Sequence, residues 1–66
     1  MASQLELTPR EIEAARLVAE GHSNANIATA LEISFHTAKF HVGNVMKKLG
    51  ANNRAQVAAE VVRRGL

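Results

Sequence analysis

The stretch ISFHTAKFHVGNVMKKL, residues 33–49, predicts one helix with two opposed sides. At about 100° per residue, four apolar residues fall within about 60° of one another and form an apolar stripe: Ala38, Val42, Val45 and Leu49. The opposite side, about 100° wide, is polar, basic and free of acids, with one aromatic ring in its middle. This basic face consists of His36, Lys39, Phe40, Gly43 and Lys47. A helix that buries one side in a small core and presents such a face outward suits the DNA major groove.

Each residue of the basic face has a DNA-contacting interpretation and an ordinary one. Lys39 can meet a guanine or a phosphate, and Phe40 can press against a thymine methyl group. His36 lies near the helix start, where helices in the major groove usually touch bases. The alternative is that Phe40 packs on a neighbouring helix and Lys39 is plain surface. Gly43 either allows close approach of the backbone or contributes nothing, and in a helix interior it costs about 1 kcal/mol relative to alanine.

A polar flank lies between the two sides of this helix and consists of Thr37, His41, Asn44 and Lys48. Such positions suit contacts to phosphates, which orient a protein on DNA without reading the sequence. For His41 and Asn44 an internal hydrogen bond to a neighbouring helix is an equal alternative.

Capping signals divide the chain into four helices. The first is predicted from Pro9 to about Glu20, opened by the Thr8–Glu11 capping box and stopped by Gly21. The other three follow the same pattern, over residues 24–31 after Ser23, 35–49 between Ser34 and Gly50, and 54–64 between Asn53 and Gly65. The predicted fold is therefore an all-α, compact four-helix domain over residues 5–66, with helices 2 and 3 in a helix-turn-helix. Residues 1–4 are expected to be a frayed or vector-derived lead-in.

Charge is distributed unevenly along the 66 residues. Residues 1–32 carry five acids against two arginines, a net charge of −3, whereas residues 33–66 carry six bases against one acid, a net charge of +5. This asymmetry favours a polyanion as the partner of one side of the fold, although the charges alone also fit a solvated basic face. The chain has no cysteine, which excludes a disulfide framework and fits a reducing cytosol.

Several classes of function are excluded by what the sequence lacks. His36 and His41 lie about 140° apart around the helix, so they cannot share a metal. The sequence shows no nucleophile grouping, no glycine-rich phosphate loop and no paired carboxylates, and Glu11 and Glu20 are explained by capping and solvation. We therefore expect no enzyme, no metal and no cofactor. No apolar run approaches a membrane span and no signal peptide is recognisable, so no membrane partner is expected.

The fourth helix carries an apolar strip wider than one neighbour needs, made of Val57, Ala58, Val61 and Val62. The functional interpretation is a seam of a weak homodimer, and the alternative is plain core. Arg63 and Arg64 suit the electrostatics of a helix C-terminus.

The chain closely resembles the LuxR/FixJ (GerE-type) DNA-binding domain of bacterial transcriptional regulators. The resemblance spans residues 5–66. The matching segments are LTPRE (7–11), AEGHSN (19–24), IA (27–28), LEIS (31–34), TAKFHVGNV (37–45), KLG (48–50) and NRAQ (53–56). It implies that helix 3 enters the major groove and that helix 4 mediates dimerisation.

In members of this family, bases are contacted from the positions of Lys39, Phe40 and Gly43, and the backbone from those near Ser34, Thr37 and Lys47. Beyond these, we expect backbone contacts from Asn44 and Lys48 on the polar flank and from the basic residue Arg54. Relatives usually carry the domain C-terminal to a receiver or ligand-binding domain.

We therefore expect a cytoplasmic bacterial transcriptional regulator domain that binds an inverted-repeat DNA site as a dimer, with RNA polymerase as a further candidate partner. One alternative is a small helical protein-interaction module that docks through helix 4 and Phe40. Another is a sigma-factor-like promoter-recognition domain, which shares the helix-turn-helix but not the pattern of residues 34–44.

Overall fold

The computed structural model describes residues 6–66, which contain four helices and no strand. The helices are α1 (Pro9–Ala19), α2 (Asn24–Leu31), α3 (Phe35–Leu49) and α4 (Arg54–Arg64). This confirms the predicted all-α class and the number of helices. The first helix ends one residue earlier than predicted, because Glu20 serves as its C-cap. The expected lead-in at residues 1–4 lies outside the described residues.

Local hydrogen bonds at the helix starts explain why the boundaries were predictable. The Thr8 hydroxyl accepts from the Glu11 N–H at 3.2 Å, and the Glu11 carboxylate accepts from the Thr8 N–H at 2.9 Å, which completes the capping box. At the start of α3 the Ser34 hydroxyl accepts from the Thr37 N–H at 3.0 Å. Asn53 does the same for Gln56 at 2.9 Å. Each bond satisfies a donor that the helix itself leaves unpaired.

The turn between α2 and α3 sets the position of the basic face. Glu32 ends α2 in the left-handed conformation at φ 57°, the one positive φ among the described residues other than glycine. The Ile33 N–H then donates to the Ala28 carbonyl at 2.9 Å, and Ser34 opens the next helix. So short a connection turns the chain sharply and produces the helix-turn-helix that the sequence predicted.

The core lies where α1 packs against α3 and α4 while α2 packs against α3. Ala14 and Ala15 have no accessible surface, and their small side chains let the neighbouring helices approach α1 closely. The remaining buried apolar residues are Val18, Ile27, Ala28, Leu31, Ala38, Val42, Val45, Leu49 and Val57. All four residues of the apolar stripe are in this set, which confirms the predicted inner side of α3.

The inner side of α4 corrects the predicted dimer seam. Val57 is 0% exposed because it is packed into the core, so it has no surface left to bury against a second copy. Val61 is half-buried and packs against the same core. Val62, by contrast, is 81% exposed. The strip therefore divides into a core part, Val57, and an outer part centred on Val62.

Candidate nucleic-acid interface

The basic face of α3 is open to solvent along its whole length. All five of its residues are exposed, and the Phe40 side chain retains 66% of its accessible surface. The alternative in which Phe40 packs on a neighbouring helix of this chain is therefore wrong. The aromatic contact of Phe40 is with the adjacent His41, whose ring centroid lies 6.3 Å away. The exposed ring is therefore available for contact with a ligand.

A shallow concavity of about 440 Å³ occupies the centre of the basic face. Its lining consists of His36, Lys39, Phe40, Gly43, Asn44 and Lys47. Because Gly43 contributes no side chain to this lining, we call its backbone the floor of the concavity; a Cβ atom built there would meet no heavy atom within 4 Å. We call this feature the Gly43 notch.

The two lysines of the basic face are free to meet an external anion. Neither Lys39 nor Lys47 forms an ion pair or a hydrogen bond through its ammonium group within residues 6–66. Both side chains are exposed, so they keep their hydration and their conformational freedom until an anion approaches. The face thus offers positive charge that the described part of the fold does not neutralise.

Lys48 follows Lys47 directly in the sequence, but its side chain is directed toward the start of α1. Its ammonium donates to the Glu11 carboxylate at 2.8 Å and to the Glu6 carbonyl at 3.2 Å. The Glu11 side chain is only 5% exposed and that of Lys48 27%. This corrects the expectation that Glu11 is merely a solvated capping residue: its carboxylate is buried and paired across 37 residues of sequence.

The pKa of Glu11 reflects this pairing. Burial by itself would raise the pKa, but hydrogen bonds from Lys48 and from the Thr8 backbone, together with the positive charge of Lys48, outweigh it and hold the pKa below its ordinary value of 4.5. Lys48 is therefore committed to holding α3 against the start of α1, and a phosphate would have to compete with Glu11 for it.

Arg54, the other expected backbone contact outside the basic face, also makes internal bonds. Its guanidinium donates to the His22 carbonyl at 2.8 Å and to the Asn24 side-chain oxygen, which joins the start of α4 to the start of α2. The side chain is exposed all the same.

The N-terminal turn of α3 presents two hydroxyl groups. Ser34 and Thr37 are exposed, and the Ser34 hydroxyl donates to Thr37 Oγ1 at 2.9 Å. His41 and Asn44 are half-buried, yet neither makes a side-chain hydrogen bond to another helix within residues 6–66. The internal-bond alternative for these two residues therefore finds no support, and both keep polar atoms free for a ligand.

Phe35 is a residue that the sequence pattern did not single out. It is the first residue of α3, is half-exposed, and lines an open groove of about 660 Å³ together with Val18, His22, Arg54 and Ala58, among others. The sequence feature that could have drawn attention to Phe35 is an aromatic residue directly after the Ser34 cap. Its position between the apolar stripe and the basic face left its burial undecided by periodicity alone.

Metal-binding and membrane-spanning features are not found in the part of the chain that the structure describes. No group of three or more histidine or acidic side chains within residues 6–66 could hold a metal ion. None of the four helices is long and apolar enough to cross a bilayer.

Comparison with known proteins identifies the family. The sequence model of a protein family called GerE, described as bacterial regulatory proteins of the luxR family, matches residues 5–61. The chain belongs to the luxR family. It is 42% identical over 59 residues to the transcriptional regulatory protein DegU of Brevibacillus brevis, a match covering 89% of this chain and 25% of that protein. It is 41% identical over 66 residues to the regulatory protein SdiA of Escherichia coli, covering 100% of this chain and 28% of that protein.

A solved structure agrees with this assignment. The structure of the transcription factor GerE superimposes with a TM-score of 0.78 at 37% identity, covering 89% of this chain and 88% of that one. The chain is thus a LuxR-type helix-turn-helix DNA-binding domain of the transcriptional-regulator type. It spans about a quarter of the length of the curated relatives DegU and SdiA.

Proposed function

We propose that this domain binds double-stranded DNA in a sequence-specific way by inserting α3 into the major groove. The observation that carries the proposal is the basic face: an exposed, acid-free surface with one exposed aromatic ring and two lysines that have no partner within residues 6–66. The face is one side of a single helix, which is the shape that the major groove accommodates. Membership of a family of DNA-binding regulators supports the same assignment.

The side chains divide between reading bases and holding the backbone. His36, Lys39, Phe40 and Gly43 face the base edges, because they lie on the exposed side within the first nine residues of α3. The backbone contacts come from Ser34 and Thr37 at the start of α3, from Asn44 on the polar flank and from Lys47 at the C-terminal end of the basic face. Lys48 and Arg54 support DNA binding indirectly: they do not contact phosphates, but their internal bonds hold α3 and α4 in position.

On DNA, two copies occupy the halves of an inverted repeat and meet through α4. The exposed side chain of Val62, with half-buried Ala58 and Val61 beside it, supplies a small apolar contact. So small a patch lies well below the roughly 1,200 Å² of stable interfaces, so the free domain is a monomer and DNA brings the copies together. Val62→Glu should abolish cooperative filling of two half-sites and leave binding to one half-site intact. A tight dimer in sedimentation at micromolar concentration without DNA would contradict this assembly.

The complete regulator acts in the bacterial cytoplasm, where binding at its site changes transcription of a neighbouring gene. RNA polymerase is the further partner that such a role requires. A regulatory domain elsewhere in the protein, as the greater length of DegU and SdiA suggests, would supply the signal.

The experiment that tests DNA binding is a titration with random-sequence duplex at several salt concentrations, followed by selection of bound sequences from a random pool. Each phosphate neutralised contributes about −0.9 to the slope of log affinity against log salt, so Lys47, the one lysine that we place at the backbone, predicts a slope of about −1 per domain. A slope near zero would reject DNA binding in favour of a protein-interaction module that docks through Phe40 and α4. Enrichment of a palindromic sequence supports the dimer.

A further inference from the structure

Gly43 is the glycine in this chain for which the fold supplies no reason. The other three glycines, Gly21, Gly50 and Gly65, adopt positive φ values of 94°, 66° and 68° at helix ends. Gly43 lies in the middle of α3 with an ordinary helical backbone, and a Cβ there would meet nothing within 4 Å. Glycine destabilises a helix interior relative to alanine. The benefit that offsets this loss of helix stability therefore comes from contact with a ligand.

The surroundings of Gly43 limit what can enter the notch. Phe40 lies about one turn before it and Lys47 about one turn after it, on the same side of the helix. The floor offers no hydrogen-bond donor, because Gly43 has no side chain and its backbone N–H is directed along the helix toward the carbonyl four residues earlier. The polar side chains that line the notch extend from other positions of α3. An apolar base group placed on the floor beside Phe40 therefore leaves no hydrogen-bonding group of the floor unpaired.

The major groove presents one group that needs no hydrogen-bond partner, the C5-methyl of a pyrimidine. The other groups on its base edges are donors or acceptors. We infer that Gly43 is a specificity-determining residue whose notch receives a pyrimidine C5-methyl group beside the Phe40 ring. This inference rests on the proposed function. Thymine and 5-methylcytosine both carry this methyl group, so either base is a possible source.

The test pairs a change in the protein with a change in the DNA. In the selected duplex, each thymine is replaced in turn by deoxyuridine, which removes only the methyl group, and each cytosine by 5-methyldeoxycytidine, which adds one. The wild-type domain should prefer the methylated base about fourfold at one position per half-site, the factor that burial of one methyl group gives. Gly43→Ala places its new methyl group on the floor, where the base methyl group would otherwise lie, and should lose that preference.

Gly43→Ala should also be more stable than the wild type, with a melting temperature about 4–8 °C higher, because alanine favours the helix and meets no clash. A gain in stability together with a loss of methyl discrimination separates recognition from folding. Ala30→Gly, an exposed change near the end of α2, is the control: it should lower the melting temperature and leave the methyl preference unchanged.

A loss on deoxyuridine substitution identifies thymine as the source, and a gain on 5-methyldeoxycytidine substitution identifies methylated cytosine. The inference is overturned if the wild type shows no methyl preference at any position, or if Gly43→Ala keeps the preference. In both cases the domain would still bind the duplex with the expected salt dependence. A failure of the proposed function would remove that salt dependence, so the two failures are distinguishable.

Discussion

Lys47 and Lys48 are neighbours with the same side chain, yet the fold treats them differently. Lys48 donates to the buried Glu11 carboxylate, whereas Lys47 lies exposed on the basic face with no ion-pair partner within residues 6–66. A step of one residue turns about 100° around a helix, which is enough to move a cation from the α1–α3 contact to the outer surface. A run of positive charge is thus not by itself a binding surface: one of these two lysines stabilises the fold and the other is available to a ligand.

The largest effect expected from this difference is on stability. Lys48→Met keeps the aliphatic part of the side chain but leaves the buried Glu11 carboxylate without its cation. We expect the free energy of unfolding to fall by about 2–3 kcal/mol, a large part of the roughly 3–5 kcal/mol available to so small a domain. Thermal unfolding followed by circular dichroism should show a melting temperature lower by about 10–20 °C.

The matched control is Lys47→Met, the same chemical change one residue earlier. Because Lys47 makes no bond within the described fold, its loss should leave the melting temperature unchanged to within about 2–4 °C. Equal destabilisation by the two variants would show that the Glu11–Lys48 pair contributes nothing specific.

The next effect concerns base readout by the outer side of α3. Phe40→Ala should reduce discrimination at one or two base pairs by about 1–3 kcal/mol per pair, because it removes apolar contact with the base edge. The salt dependence should not change, since no charge is lost. With 66% of its surface exposed, the ring contributes little to the core, so the melting temperature should stay nearly constant. A sharp fall in melting temperature with unchanged base preference would place the ring in the core.

The buried pair on the inner side should also make stability depend on pH. The pKa of Glu11 is held below 4.5 in the folded protein, so its stabilising contribution is complete above that value and is lost as the pH falls through the folded pKa. The melting temperature of the wild type should therefore decline on acidification below about pH 4.5. Glu11→Gln should be less stable at neutral pH and show a shallower decline.

Other carboxylates titrate in the same range, so a variant on the surface is needed for comparison. Glu13 is exposed, and among the described residues it pairs with Arg10 alone, at 3.1 Å. Glu13→Gln should keep the acid-dependent decline of the wild type, since exposed pairs contribute little. If Glu11→Gln and Glu13→Gln follow the same pH profile, the burial of Glu11 has no energetic consequence.

What the sequence predicted about the fold was local. The Thr8–Glu11 capping box, the Ser34 cap and the Gly50 stop act within four residues, and a stripe at helical spacing indicates a buried side without reference to its partner. The four helices and the inner side of α3 follow from such signals. They also placed the basic face, because the apolar stripe defines what lies opposite.

What the sequence did not predict depends on which helices meet. Glu11 finds Lys48 from 37 positions away, and Arg54 reaches His22 from 32 positions away, so neither bond leaves a trace in the spacing of residues. The burial of Val57 depends on α1 packing against α4. These tertiary contacts give Lys48 and Arg54, two of the expected phosphate contacts, bonds within the fold, and they bury Val57 of the predicted dimer seam.

The smallest expected effect of the two lysines is on the salt dependence of DNA binding. Lys47→Ala removes one cation that we place beside a phosphate, so the slope of log affinity against log salt should become shallower by about 1, with base preference unchanged. Lys48→Met should leave the slope as it is, when both are measured well below its melting temperature, because its ammonium is already paired with Glu11. If the slope changed in Lys48→Met and not in Lys47→Ala, DNA would have displaced Glu11 from Lys48. Lys48, and not Lys47, would then be the lysine that contacts a phosphate.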